Sequence, residues 1–136
     1  MFVVDCSVTM AWAFEDQSTE QTDAVLERLI AEEAVVPDIW ALEVANVLLA
    51  AERRKRLTRA KTTRFIELLG GLPIAFDDDG QMHVFASVLP LARDARLSSY
   101  DAAYLELAMR LDVPLATTDA SLRRAAREAG VTLLSQ

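Results

Sequence analysis

The stretch MFVVDCS, residues 1–7, indicates the fold of this chain before any other segment does. Its three consecutive apolar residues, 2–4, are typical of a strand buried on both faces, as strands are in a parallel sheet. Asp5 follows at once, and an ionised carboxylate beside a hydrophobic core is costly unless a partner compensates its charge. We therefore expect a buried strand at the start of the chain and a partner for Asp5 elsewhere in it.

Short apolar runs of the same kind recur along the chain and alternate with segments of helical character. The runs cover residues 34–36, 73–76, 113–116 and 131–134. Candidate helices cover residues 7–14, 20–32, 39–55, 58–69, 81–95, 100–111 and 120–129. Strands that alternate with helices imply βαβ units with right-handed crossovers. The pattern predicts one α/β domain over residues 1–136, with helices on both faces of a parallel sheet.

The composition fits a single compact domain. The chain has 136 residues, of which 52% are hydrophobic and 26% are charged, as in an ordinary globular protein. No apolar run approaches the roughly 18 residues of a spanning helix, and the first residues lack the features of a signal peptide. The single cysteine, Cys6, cannot form an internal disulfide, which agrees with a reducing compartment. We expect a cytoplasmic protein with no membrane partner.

The net charge of −7 hides an uneven distribution of the basic residues. Seven of the 14 Lys and Arg residues lie between positions 53 and 64, beginning with Arg53, Arg54, Lys55 and Arg56. Three more lie close together: Arg123, Arg124 and Arg127. Such patches are able to grip a phosphate backbone while the rest of the surface stays acidic. They are equally typical of solvated helix faces, so charge alone leaves both interpretations open.

Acids follow several of the predicted strands. Asp38, the run 77–79 and Asp119 occupy these positions, and the carboxyl ends of parallel strands line the ligand crevice of an open α/β sheet. An acid there is also a common N-cap of the next helix. We interpret Asp38 and one residue of 77–79 as caps, and for Asp119 both roles stay open. For Asp5 a capping role is less needed, because Ser7 is itself able to cap.

Two further acids lie within predicted helices. Residues 40–51 are apolar almost all the way round, so this helix is expected to be buried and Glu43 to point into a sheltered place. Asp101 lies in the first turn of its helix, where the helix dipole also favours an acid, so a structural and a functional role both stay open. Glu106 and Arg110 follow as an i, i+4 pair that is expected on the solvent face.

Four of these acids, Asp5, Glu43, Asp101 and Asp119, would repel one another if they met at one edge of the sheet, and some of their pKa values would rise. A divalent cation resolves that conflict. A set of oxygen ligands suits a hard ion, Mg²⁺ or Mn²⁺, better than zinc. His83, the only histidine, has no cysteine pair beside it in the sequence and is interpreted as a surface or core residue. The sequence thus predicts a metal site built from the four acids.

A metal ion in a crevice with a basic rim is suited to phosphodiester hydrolysis. The ion polarises phosphoryl oxygens and lowers the pKa of a bound water, and a second ion would stabilise the leaving oxygen as well. Ser7 and Thr117 are predicted to position a substrate phosphate or a metal-bound water. The open alternative is that both hydroxyls are satisfied within their own turn or strand.

Four motifs carry these residues: VVDCS at 3–7, PDIWALEVANVL at 37–48, SSYDAAYLELA at 98–108 and PLATTD at 114–119. In this order they resemble the motifs of the PIN-domain family, and more narrowly those of the VapC toxins of bacterial and archaeal toxin–antitoxin pairs. The resemblance extends from one end of the chain to the other, and no acid of the family's set is missing.

The resemblance implies a three-layer α/β/α sandwich with a five-stranded parallel sheet of strand order 3-2-1-4-5. It also implies a Mg²⁺- or Mn²⁺-dependent endoribonuclease that forms a homodimer and is inhibited by a small antitoxin protein whose tail occupies the groove. RNA backbone contacts are then expected at Arg53, Arg54, Lys55 and Arg56. By the same resemblance Asp5, Glu43, Asp101 and Asp119 form an acidic quartet, both catalytic and metal-binding, in which Asp5 and Asp101 are the surest metal contacts.

Other protein classes with an acid after the first strand fit less well. Haloacid-dehalogenase-type phosphatases need a second acid two residues later and a lysine after a late strand. Here Ser7 takes the place of the acid, and the only lysines are Lys55 and Lys61. Receiver domains also need an acid pair and a late lysine. A PIN-like module that binds RNA or a partner without cutting stays open as the alternative, although the complete quartet favours catalysis.

Overall fold

A computed structural model of the chain describes residues 1–134, and residues 135–136 of the predicted domain lie outside the described part. The strands are β1 (Phe2–Val4), β2 (Ala34–Val36), β3 (Ile74–Phe76) and β4 (Leu115–Ala116). The α-helices are α1 (Cys6–Ala13), α2 (Glu20–Arg28), α3 (Ile39–Arg53), α4 (Arg59–Gly70), α5 (Leu89–Ala95), α6 (Ser99–Leu111) and α7 (Ala120–Glu128). Short 3-10 helices lie at Glu15–Gln17 and Gly80–His83, and a π-helical stretch lies at Val84–Val88.

The four strands form one parallel sheet in the order β3-β2-β1-β4. Val3 pairs with Val35 of β2 on one side and with Leu115 of β4 on the other, so β1 lies in the interior of the sheet. All three residues of β1 have no exposed surface, as expected for a continuous apolar strand covered on both faces. The predicted α/β class and the parallel sheet are confirmed.

The predicted fifth strand, 131–134, is reduced to a single parallel bridge between Leu133 and Leu115. The Leu115 N–H donates to the Thr132 carbonyl at 2.9 Å, and the Leu134 N–H donates to the Leu115 carbonyl at 3.0 Å. β4 has only two residues, so it leaves little edge on which a longer ladder could form. Within residues 1–134 the sheet therefore has four strands, and a full fifth strand stays a prediction.

The predicted helix 81–95 is divided into a 3-10, a π and an α segment. Pro90 lies at the start of α5, where its missing N–H interrupts the regular i to i−4 ladder. Irregular helical turns of this kind often occur near functional surfaces. Among residues 1–134, no helix combines the length and the apolar character that crossing a bilayer requires.

The expectation that α3 is buried all the way round is wrong. Trp40, Val44 and Leu48 face the core, whereas Leu42 and Leu49 are 71% and 43% exposed. α1 packs against the inner face of α3, whereas Leu42, Ala45 and Leu49 on the other side are exposed. Glu43 is therefore half-buried at the border of the two faces.

α6 is the central helix of the domain. It packs against β1 and β4, and most of the stretch from Ala102 to Ala108 is buried. α6 directly precedes β4, so its last turn lies near the start of that strand and its first turn lies at the carboxyl end of the sheet. This arrangement brings Asp101 close to the end of β1.

Candidate active site

The carboxyl ends of β1 and β4 meet at Asp5. Its N–H donates to the Ala116 carbonyl at 3.1 Å, and its side chain is buried. The Oδ1 atom of Asp5 accepts from the Ser7 hydroxyl at 2.6 Å and from the Val8 N–H at 3.1 Å. The Oδ2 atom accepts from the Thr117 hydroxyl. Both oxygens of Asp5 are therefore held by neutral donors.

Asp5, and not Ser7, is the N-cap of α1. The capping bond is the one from the Val8 N–H, and the backbone of Asp5 has the extended conformation that an N-cap requires. Ser7 lies inside the first turn, where its hydroxyl donates to Asp5 and accepts from the Thr118 N–H at 3.0 Å. Burial raises the pKa of Asp5 to about 6, although its three hydrogen bonds oppose the shift; the Asp101 charge adds to it.

A second hydrogen-bond chain fixes the backbone of Asp5. The Thr9 hydroxyl donates to the Asp5 carbonyl at 2.9 Å and accepts from the Trp40 indole Nε1–H at 3.0 Å. Both residues are buried, and they join α1 to α3, the helix that carries Glu43. The sequence analysis missed this pair. The sequence offers one indication of it: Thr9 lies four residues after Asp5, a spacing at which a threonine hydroxyl is able to donate to the backbone carbonyl one helical turn earlier.

Glu43 accepts a hydrogen bond from Tyr104, with 2.6 Å between the tyrosine Oη and Glu43 Oε1. Burial raises the pKa of Glu43; the Tyr104 bond opposes this, and the Asp101 charge adds to it. Burial and the contact with Glu43 also raise the pKa of Tyr104, so its hydroxyl remains a protonated donor. Tyr104 is not among the residues predicted from the sequence; it lies one helical turn after Asp101 and therefore on the same side of α6.

Asp101 and Asp119 lie at the starts of two helices. Ser98 caps α6 by accepting from the Asp101 N–H at 3.1 Å, which leaves the Asp101 carboxylate free of a capping duty. Asp119 caps α7, because its Oδ2 accepts from the Leu122 N–H at 2.9 Å. Burial and the charge of Asp119 raise the pKa of Asp101.

The acidic quartet is electrostatically coupled. The Asp101 charge raises the pKa of Asp5 and of Glu43, and the Asp119 charge raises that of Asp101. None of the ion pairs within residues 1–134 includes a carboxylate of the quartet. Such a set of oxygen donors with uncompensated charge fits a divalent cation.

The carboxylates do not by themselves enclose an ion. Within the described part of the chain, no group of three or more His, Cys, Asp or Glu side chains is arranged to hold a metal ion. Mg²⁺ does not require such a cage, since it usually keeps several waters and binds through one or two carboxylates. The chemistry of the quartet therefore fits the ion.

The side chains of Asp38 and Asp79 make no capping bond, although both residues directly precede a helix. Asp38 is exposed and has helical rather than extended backbone angles, so the capping prediction for Asp38 is wrong. In the run 77–79 the side chain that accepts a backbone N–H is that of Asp77, which accepts from the Asp79 N–H at 3.3 Å.

Asp77 belongs to a different cluster, which we call the arginine clamp: Asp77, Glu106 and Arg110. Arg110 lies 2.5 Å from the Asp77 carboxylate and 2.8 Å from that of Glu106. Glu106 is only 7% exposed, so the expectation of a solvent-face pair is wrong. The contact with Asp77, 33 residues away, draws the pair inward. His83 is half-buried, and its charge helps to lower the pKa of Asp77.

The predicted RNA-contacting residues lie at the turn between α3 and α4. Arg53, Arg54 and Lys55 are exposed and form no ion pair within residues 1–134. Arg56 pairs with Asp16 at 3.2 Å and lies over the Phe14 ring. At the helical rise of 1.5 Å per residue, Arg53 is roughly 15 Å along α3 from Glu43. Arg123 donates to the Thr117 carbonyl at 3.2 Å, beside the quartet.

Known proteins share this arrangement of the chain. The family model described as "PIN domain" matches residues 2–128. Ribonuclease VapC3 of Pyrobaculum aerophilum is 30% identical over 120 residues, which are 88% of this chain and 90% of VapC3.

Solved structures show the same fold. The crystal structure of PAE2754 from Pyrobaculum aerophilum has a TM-score of 0.70 at 22% identity and covers 98% of this chain and 83% of its own. A toxin–antitoxin complex from Klebsiella pneumoniae has a TM-score of 0.56 at 14% identity, with 88% and 87% covered. The family match over almost the whole chain and the likeness to VapC3 together show that this chain belongs to the PIN-domain family, as a protein of the VapC type.

Proposed function

We propose that the chain is a divalent-metal-dependent endoribonuclease and the toxin of a toxin–antitoxin pair. One observation carries the proposal: Asp5 and Asp119 follow β1 and β4 at the same edge of the sheet, Asp101 lies in the first turn of α6, and no cationic side chain within residues 1–134 forms an ion pair with any member of the quartet. RNA as the substrate is supported by the relation to Ribonuclease VapC3.

Asp5 and Asp101 are proposed to hold a Mg²⁺ or Mn²⁺ ion most directly, and Glu43 and Asp119 to complete the set. When bound, such an ion supplies Lewis acidity toward a phosphodiester and a water acidic enough to attack near neutral pH. The carboxylates must be ionised for this task, so metal binding and proton release are coupled.

The hydroxyls of Ser7 and Thr117 are proposed to keep Asp5 in the geometry that metal binding needs. They contact different oxygens of the same carboxylate, and their own oxygens lie 3.5 Å apart. A side chain held from both sides has little rotamer freedom to lose when a ligand binds. Their place beside Asp5 also suits the predicted role of positioning a substrate phosphate or a water.

The exposed part of the basic segment, Arg53, Arg54 and Lys55, is proposed to contact the RNA backbone, with Arg56 at its border. Contacts of this type are independent of sequence and weaken steeply as salt concentration rises. They would guide RNA onto the domain, while the quartet acts on the phosphodiester.

An antitoxin protein is the proposed partner, supported by the fold shared with the toxin–antitoxin complex from Klebsiella pneumoniae. The unpaired Cys6 agrees with a cytoplasmic setting for such a pair.

We also propose a homodimer. Leu42, Met82 and Phe85 are 71%, 78% and 83% exposed, and an apolar depression of about 340 Å³ lies between Leu42 and Val84. Exposed apolar patches mark contact surfaces. Sedimentation of a Phe85→Asp variant should show monomers where the parent chain forms dimers; an unchanged dimer would place the interface elsewhere.

The test of the nuclease proposal is cleavage of single-stranded RNA by the purified chain. We expect cleavage with Mg²⁺ or Mn²⁺, none in EDTA, and recovery when the metal is added back. An Asp101→Asn variant purified in parallel controls for a contaminating nuclease. Cleavage that continues in EDTA would contradict the metal requirement, and tight RNA binding without any cleavage would favour a binding module.

A further inference from the structure

Both tyrosines of the chain lie on α6, and their surroundings are opposite. Tyr104 is 1% exposed and donates to Glu43 Oε1 at 2.6 Å. Tyr100, one turn earlier, is 59% exposed and its hydroxyl forms no hydrogen bond within residues 1–134. A buried tyrosine hydroxyl needs a partner, and the partner here is a member of the acidic quartet.

Glu43 carries the longest side chain of the quartet and is half-buried. It lies at the border of the exposed face of α3, next to the exposed Leu42. Solvent is within reach of the long glutamate side chain, so without an anchor its carboxylate is free to adopt rotamers that point outward. The Tyr104 hydroxyl is its hydrogen-bond donor within residues 1–134.

We propose that Tyr104 is a positioning residue, whose hydroxyl holds the Glu43 carboxylate inside the quartet and leaves Oε2 available to a divalent cation. The inference rests on the proposed function, because it takes Glu43 as one of the metal-binding acids. Tyr104 follows Asp101 by three residues, so one side of α6 supplies a proposed ligand and the anchor of a second. Donors that orient ligating groups commonly contribute 10- to 100-fold to metal affinity.

The test is a Tyr104→Phe variant of the full chain, with Tyr100→Phe as the matched control. Both changes remove one hydroxyl from α6, but only the first removes a bond to the quartet. Mn²⁺ affinity is measured by titration calorimetry, and thermal melting is measured without metal. We expect Tyr104→Phe to bind Mn²⁺ about 10- to 100-fold more weakly, with a melting temperature close to that of the parent chain, and Tyr100→Phe to bind as the parent chain does.

Cleavage of RNA as a function of Mn²⁺ concentration gives a second readout. A positioning role shifts the curve of Tyr104→Phe to higher Mn²⁺ concentration and lets it approach the parental rate at saturation. A rate that stays low at every Mn²⁺ concentration, together with early melting, would make Tyr104 a core residue only and overturn the inference.

The outcomes separate this inference from the proposed function. Equal Mn²⁺ affinity of Tyr104→Phe and the parent chain would overturn the positioning role and leave the nuclease proposal standing. A parent chain that binds no Mn²⁺ would overturn the proposed function, and the positioning role with it.

Discussion

Two carboxylate clusters in this molecule deal with their charge in opposite ways. In the arginine clamp, burial alone would raise the pKa of Asp77. The hydrogen bonds from Arg110 and from the Asp79 N–H, together with the charges of Arg110 and His83, outweigh burial, and the pKa is lowered. In the acidic quartet no arginine intervenes, and burial raises the pKa of Asp5 to about 6. Both clusters bury an acid, and what distinguishes the proposed site is that no cationic side chain within residues 1–134 pairs with its carboxylates.

The same helix serves both clusters. α6 presents Asp101 and Tyr104 to the quartet, and it presents Glu106 and Arg110 to Asp77 after β3. The clamp thus joins the central helix to the segment after the edge strand β3, while the charge of the quartet is uncompensated by any ion pair within residues 1–134. Four changes test this division, and they follow in order of expected effect.

Asp5→Asn should have the largest effect. We expect RNA cleavage to fall by on the order of 1,000-fold, the scale on which a single electrostatic group contributes to catalysis. Stability of the metal-free protein should not fall, because asparagine is an equally good N-cap for α1 and carries no buried charge. Cleavage rates and urea unfolding measure the two effects. Retained cleavage would remove Asp5 from the catalytic set.

Arg110→Leu should convert the clamp into a second uncompensated cluster. Asp77 and Glu106 would lose their shared cation, and we expect unfolding free energy to fall by about 2 kcal/mol, less than for a fully buried pair because Arg110 is partly exposed. Urea unfolding at neutral pH measures it. Arg93→Leu is the control, since Arg93 is exposed and forms no ion pair within residues 1–134. An equal loss in both variants would refute the clamp.

Acid should weaken the clamp. The folded-state pKa of Asp77 lies below its unfolded value, so its stabilising contribution is complete above the unfolded pKa and is lost as pH falls through the folded pKa. We expect the parent chain to lose about 1 kcal/mol more than Asp77→Asn between pH of about 5 and about 3. Parallel urea titrations at these pH values measure the difference. Identical pH profiles would show that Asp77 gains nothing from Arg110.

The smallest effects are expected when a glutamate is changed to glutamine, in one variant in the quartet and in another variant in the clamp. Glu43→Gln removes a repelled charge, so metal-free stability should be unchanged or higher by up to about 1 kcal/mol, while Mn²⁺ binding weakens. Glu106→Gln removes a paired charge and should lower stability by about 1 kcal/mol without affecting Mn²⁺ binding. Urea unfolding and calorimetry of both variants measure this. A marked loss of stability in Glu43→Gln alone would make Glu43 a structural residue.

Much of the fold could be predicted from local sequence pattern. β1 and β2 are continuous apolar runs, and periodicity marks α3, α6 and α7, so strands and helices alternate visibly. The placement of Asp5 and Asp119 followed from their positions after strands, since parallel strands end at a common edge.

Contacts between distant residues could not be predicted in this way. Tyr104 lies 61 residues from Glu43, and Arg110 lies 33 residues from Asp77. No local pattern specifies such partners, because they depend on how helices pack. The capping errors at Asp38 and Asp5 have a related cause: an N-cap is decided by the backbone angles of one residue, and several residue types compete for it.

The placement of β1 in the sheet has a consequence for synthesis on the ribosome. Asp5 leaves the ribosome well before its N–H partner Ala116 and its side-chain partner Thr117, which follows Asp5 by 112 residues. The quartet member Asp119 arrives later still. A growing chain therefore holds no complete quartet until Asp119 has been translated, because contacts of such long sequence separation close last. If the quartet is the proposed nuclease site, a nascent chain lacks the carboxylates with which to cleave the RNA from which it is being translated.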